Sequence, residues 1–255
     1  MAKVGRLVYA LILTSFIGAN MLFAAPLNIG INYQVRPYII GTDSGIELDI
    51  VSTILKRLEL PHHYHAFSLN RARRSLAFAK MDISLTSIYN KGSAQCSDPY
   101  VYYSNVAISL KSSNITLNQI SDLAPVSIYS WQGANKVLGP DFFRMYPTVG
   151  SGYKEISRVE RLPLLLYKGR SDVIIIDKFI FSYLWREFAL YFKALPQVTF
   201  HPIFDRRVYY CAKIKDPILR RLFNIELNKL KHNGELQAIY KKYIPLATPD
   251  DLSWD

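Results

Sequence analysis

At 255 residues the chain is long enough for one large domain or two modest ones. Half of its residues are hydrophobic and a fifth are charged, which excludes a disordered or fibrous chain and leaves an ordinary globular protein with a core to bury. A formal charge of +11 admits three kinds of partner: nucleic acid, an acidic membrane face, or a small anionic ligand.

The first residues narrow that choice. Lys3 and Arg6 supply positive charge, residues 7–23 are almost wholly apolar, and Ala24 and Ala25 precede Pro26. This is the layout of a secretory signal peptide over residues 1–25. The apolar run sits at the short edge for a spanning helix and carries Asn20, so a retained membrane anchor is the weaker reading. The mature chain is expected in the periplasm, where nucleic acid is no partner. Apart from Arg71, Arg73 and Arg74 and a lysine-rich C-terminal helix, the cations are scattered and read as a solvated face.

Strand-like and helix-like segments then alternate. Residues 27–32 form a short apolar strand. Ile50, Val51, Ile54, Leu55 and Leu58 line one face of a helix over 47–58. A strand over 64–67, a helix over 70–80 and a strand over 82–88 complete a βαβαβ order, which calls for a parallel sheet with helices on both faces. The order restarts with strands over 106–110 and 126–129 and helices around 136–146 and 156–167. A β-branched run at 173–176 follows, apolar enough for a strand buried on both faces. Next comes a helix over 178–191. Asp216-Pro217 supplies a cap and a first-turn proline for a helix burying Leu219, Leu222, Phe223, Leu227 and Leu230. Asn233-Gly234 ends that helix, a last one runs to about Tyr243, and residues 248–255 read as a loose tail.

Several motifs fall in a familiar order. Arg36-Pro37-Tyr38 is followed by Gly45-Ile46-Glu47-Leu48-Asp49-Ile50, then by Ser97-Asp98-Pro99-Tyr100. Gly169-Arg170-Ser171-Asp172 leads into Val173 to Ile176 and Asp177, and Asn228 to Tyr243 closes the series. In this the chain resembles the family 3 periplasmic solute-binding proteins over about residues 27–244. The resemblance implies an α/β fold of two Rossmann-like lobes joined by two crossovers, the type II periplasmic binding fold. Lobe 1 is then about 26–103 plus 206–247, and lobe 2 about 104–205. It also implies a monomeric receptor, without cofactor or catalysis, for an amino acid or related zwitterion or anion, working with the membrane subunits of an ABC-type uptake transporter. Exported dehydratases and unlinked sensory modules on the same fold are the alternatives; the first would need a desolvated cleft carboxyl of raised pKa.

Site candidates follow from strand ends, where ligands sit in open α/β sheets. Asp177 matches the family aspartate that pairs with a ligand ammonium, and it is equally suited to capping the helix that follows. It is not expected inside the core, so its removal is expected to change stability little. Thr86 and Ser87 end a strand, Tyr38 lies in the first motif, and Gln132 and Gly133 lie in a strand-to-helix turn whose free N–H groups suit an anion. The family's carboxylate-gripping arginine is missing from the segment before Ser97, which reads Tyr89-Asn90-Lys91-Gly92. Lys91 and Arg71 are the candidate replacements. His62, His63 and His65 alternate along a strand and so point to opposite faces, which argues against a metal site. Glu47 and Asp49 read as helix-dipole partners. Cys96 and Cys211 fall near the implied crossovers, either as a disulfide or as two buried thiols.

Overall fold

The computed structural model describes residues 25–33, 35–78, 80–204 and 207–245, without the side chains of residues 69, 70, 73, 78, 86, 148, 149 and 151. Residues 1–24, which fall in the segment read above as a signal peptide, and the tail from 246 onward lie outside the described residues.

The first half of the chain builds β1 (Leu27–Asn32), α1 (Ile46–Arg57), β2 (His62–Phe67), α2 (Leu69–Phe78) and β3 (Ile83–Ile88). Strand β4 (Cys96–Tyr103) leads straight into β5 (Asn105–Leu110). Then come β6 (Ile128–Trp131), α3 (Pro140–Met145), β7 (Tyr153–Ile156), α4 (Leu162–Tyr167), β8 (Val173–Asp177), α5 (Lys178–Ala189) and β9 (Val198–His201). The chain returns through β10 (Val208–Ile214) and ends in α6 (Pro217–His232) and α7 (Glu235–Tyr243).

Two five-stranded sheets result, ordered β2-β1-β3-β10-β4 and β7-β6-β8-β5-β9. In each, three strands run parallel, and a strand beside a crossover joins them antiparallel: β10 against β3, and β5 against β8. The same plan is used twice, and the chain passes between the copies at Ser104 and again between His201 and Val208.

Sequence and structure part at a few local points. Ile156 ends a strand instead of opening a helix, and α4 begins only at Leu162, with Pro163 in its first turn where no N–H is needed. Leu222 is not in the core: Leu219, Phe223, Leu227 and Leu230 face inward, whereas Ile218, Leu222 and Ile225 line the outer side of α6. The histidines are occupied locally: His62 Nε2 lies 3.0 Å from Ser52 Oγ, and His65 Nε2 lies 2.8 Å from Asn28 Oδ1.

One buried cluster runs through both lobes. It joins Ile29, Ile31 and Leu85 of the first sheet to Val106, Ile174 and Ile176 of the second. Helix α5 makes the link. Phe179 packs 6.2 Å from Tyr102 and 6.1 Å from Tyr240 between ring centroids, so an aromatic knot sits behind the crossovers. An ion pair between Arg36 and Glu187, at 3.1 Å, ties the loop after β1 to the same helix.

Cys96 and Cys211 are joined in a disulfide between the adjacent strands β4 and β10, with a Cα separation of 5.5 Å. The bridged loop is 115 residues in sequence and contains the whole second sheet. Both ends of that long excursion are thereby clamped to the first lobe. Replacing both cysteines by serine should lower unfolding stability by about 3–5 kcal/mol, as loop entropy returns to the unfolded chain. Urea titration of the oxidised protein and the double variant measures this; two thiols freely alkylated without reductant would contradict the bridge.

Candidate functional site

The carboxyl ends of β1, β6 and β8 face a cleft of about 560 Å³ between the lobes. Asn32, Tyr33, Leu85, Tyr103 and Tyr210 line it from one side. Asn105, Trp131, Gln132, Arg158 and Ile180 line it from the other. Three carboxyl groups reach it as well: Glu47, Glu160 and Asp177.

Glu47 is placed by Gly45. That glycine has φ 121°, and a Cβ there would lie 2.4 Å from the Tyr38 carbonyl oxygen, so only glycine lets the chain turn so tightly into α1. The helix therefore starts against the cleft with Glu47 in its first turn, 2% exposed. Tyr100 Oη lies 2.6 Å from Glu47 Oε2 and Tyr103 Oη lies 2.9 Å from Oε1. Burial raises the Glu47 carboxyl to about 7, against the opposing pull of the two tyrosine hydrogen bonds. The hydroxyl count agrees with a neutral form. Tyr100 Oη also lies 3.0 Å from the Leu85 carbonyl and has only one proton. A protonated Glu47 donates to Tyr100, which then donates to Leu85.

Asp177 ends β8 and is 2% exposed. Its Oδ1 accepts the N–H groups of Phe179 and Ile180, both at 2.9 Å, so it caps α5. Its Oδ2 accepts the N–H of Ser104, the crossover residue, at 2.6 Å. Tyr38 Oη lies 3.3 Å from both oxygens and donates to the Tyr102 carbonyl at 2.9 Å. Desolvation raises the Asp177 carboxyl to about 7, while those hydrogen bonds act to lower it.

The remaining candidates scatter. Gln132 lines the cleft. The turn N–H groups expected to hold an anion are already taken: Gly133 N–H donates to Glu155 Oε2 at 2.7 Å, and Asn135 N–H to Oε1 at 3.1 Å. Ser87 is buried in β3 opposite Cys211, and the side chain of Thr86 lies outside the described residues. Lys91 is exposed and Arg71 stands 5.6 Å over the Phe67 ring; neither is among the lining residues. Tyr38 is fully buried behind Asp177.

Sequence reasoning passed over Glu47, Arg158 and Glu160. For Glu47 a signal was present. It precedes Ile50 and Val51 by three and four residues, which puts it on the apolar stripe of α1 and not on the solvent side. Arg158 and Glu160 lie near the start of a stretch read as a helix around 156–167, where nothing marked them out.

Two such sheets, crossed twice by the chain and opening onto one polar-and-aromatic cleft, define a two-lobed binding protein of the type II periplasmic fold. Residues 27–246 match the model of the bacterial extracellular solute-binding proteins, family 3, and the chain belongs to that family. No curated protein matches it in sequence. Among solved structures, an ABC uptake transporter substrate-binding protein from Streptococcus pneumoniae with bound histidine is 14% identical, with a TM-score of 0.69 over 90% of this chain and 95% of that one. An ancestral arginine-binding protein bound to arginine is 17% identical, with a TM-score of 0.67 over 87% and 99%. An ancestral amino-acid-binding protein described as a precursor of cyclohexadienyl dehydratase is 16% identical, with a TM-score of 0.66 over 86% and 95%. At these identities the likeness is one of fold.

The buried carboxyls carry two expectations. Asp177→Ala should cost about 2–4 kcal/mol, the sum of a lost helix cap and a stranded Ser104 N–H. The small effect expected from the sequence does not apply, because the carboxylate is buried. Urea unfolding measures it, and a loss under about 0.5 kcal/mol would show that water replaces the cap. For Glu47 the sign is set by a folded-state value near 7 against 4.5 for the free side chain. Stability from this source is complete below pH 4.5 and is lost as pH rises through 7. Glu47→Gln should therefore lose less stability than the parent between pH 5 and pH 8, by on the order of 2–3 kcal/mol. Superimposable pH profiles of the urea midpoint would contradict a neutral buried Glu47.

Proposed function

We propose that the protein is a periplasmic receptor that captures a small-molecule ligand, an amino acid or a related zwitterion or anion, between its lobes and passes it to an ABC-type uptake transporter. The observation that carries this reading is the cleft itself. About 560 Å³ suits a ligand of amino-acid size, and the walls mix aromatic surface with three carboxyl groups and a guanidinium. An ammonium is received beside the two buried carboxyls, Glu47 and Asp177. Bringing a cation to Glu47 or Asp177 favours their ionised forms, so an amine-bearing ligand is bound with proton release near neutral pH. A ligand that touches both walls stabilises the closed arrangement over the open one by its differential contacts.

Asp177 meets the condition set for an enzymatic alternative, a desolvated carboxyl of raised pKa. Its oxygens, however, already hold three backbone N–H donors. A carboxyl committed to a cap and a crossover is poorly suited to moving a proton to and from a substrate. Binding is the better reading.

The test is a thermal-shift screen of amino acids, organic acids and polyamines against the purified mature chain. At a hundred times its Kd a true ligand adds about 2.7 kcal/mol to the apparent stability, enough for a clear rise in midpoint. A shift with at least one amino acid and none with polyamines is expected. No shift with any amino acid or carboxylate would refute the proposal.

A further inference from the structure

Arg158 is the only cation among the described residues lining the cleft. It follows β7 in an extended turn, with φ −104° and ψ 85°, just before the short helical turn that leads into α4. Its Nε–H donates to Glu160 Oε1 at 2.7 Å. The two side chains are 62% and 46% exposed, so this pair contributes little to stability. What it does contribute is orientation. With Nε held by Glu160, the two terminal amino groups are left to act as the bidentate face that a carboxylate fits.

The two cations favoured from sequence have no such place. Arg71 stacks over Phe67 outside the lining, and Lys91 is exposed on the loop after β3. The turn at Gly133, the other candidate anion seat, is filled internally by Glu155. Among the described lining residues the cleft thus contains one cation, and it comes from the second lobe. Around it the wall is largely apolar. Tyr33 and Leu85 lie on the first-lobe side, and Trp131, Val159 and Ile180 on the other. Tyr33 is 65% exposed despite its size. A small hydrophilic ligand would leave this surface uncovered on closure, whereas a ligand with a bulky apolar or aromatic body would remove it from water.

We infer that Arg158 is the carboxylate anchor of the cleft and that the ligand class is a carboxylate with a large apolar or aromatic body, an aromatic or branched amino acid in its simplest form. This rests on the binding-protein reading above and specifies its chemistry. Glu160 is a positioning residue, holding the guanidinium through Nε while the ligand takes the other two nitrogens.

Calorimetric titration tests it, with L-phenylalanine, L-serine and phenethylamine (which lacks the carboxylate) as probes. The parent protein should bind L-phenylalanine at least tenfold more tightly than either of the others. Arg158→Ala should weaken L-phenylalanine ~10- to ~100-fold, the loss typical of a charge-assisted hydrogen-bonded pair. The same variant should leave phenethylamine within about twofold. Arg158→Lys should recover only part of the loss, because an ammonium lacks the fork. Arg71→Ala serves as the control and should bind as the parent does. With so exposed a side chain, the unfolding midpoint of Arg158→Ala should match the parent, so a change in affinity is not a change in folding. If amino acids bind but Arg158→Ala binds them equally well, or if L-serine is preferred to L-phenylalanine, this inference is overturned and the receptor reading survives. If no carboxylate binds at all, both are overturned.

Discussion

A single buried carboxylate holds together the parts of this molecule that have to work as one. Asp177 lies at the end of β8, and its two oxygens accept N–H groups from the first turn of α5 and from Ser104, where the chain crosses between lobes. Tyr38 of the first lobe sits against the same group. Taking a carboxylate out of water is costly, and three directed N–H donors are what make the buried position tenable. In return, the start of α5, the crossover and the loop of the first motif are held in fixed relation beside the cleft.

That fixed relation explains why one apolar cluster spans both sheets. Helix α5 is capped by Asp177 at one end and tied to the first lobe by Arg36–Glu187 near the other. Between them Phe179 packs against the first lobe's Tyr102 and Tyr240, while Phe181 packs against Phe200 of the second sheet. The disulfide adds a covalent clamp at the base of the same excursion. The short crossovers are thus flanked by packed aromatic rings, and the cleft lies in front of them.

The cleft combines two kinds of carboxyl. Glu47 and Asp177 are buried and raised toward neutrality, whereas Glu160 is exposed and paired with Arg158. Buried carboxyls that can be neutral cost less in an empty cleft than ionised ones and become charged when a cation arrives. The two carboxyls therefore stand in the cleft wall without the full desolvation cost of an ionised pair. The Arg158 guanidinium needs no such provision, because it is exposed to water.

Much of this was legible in the sequence because it is local. Apolar periodicity marked α1 and the α6 stripe, the β-branched run marked β8, Asp216-Pro217 marked a helix start, and the ordered motifs implied two lobes with a shared cleft. The misplacements were local as well: Ile156 closes a strand because pairing with β6 outweighs its helix-like neighbours, and Leu222 faces outward because α6 buries a narrower stripe than its apolar content suggests. The site is another matter. Tyr33, Trp131 and the Arg158–Glu160 pair follow three separate strands, and no spacing along the chain records that they share a cleft. Nor does any local pattern show that Glu155 fills the turn at Gly133, or that Cys96 lies beside a strand more than a hundred residues away. Periodicity reports which face of an element avoids water, a property of a few neighbouring residues. Burial of a charge and the company it keeps are decided only when distant segments pack, and in this protein that packing determines which carboxylates are spent on structure and which groups remain for a ligand.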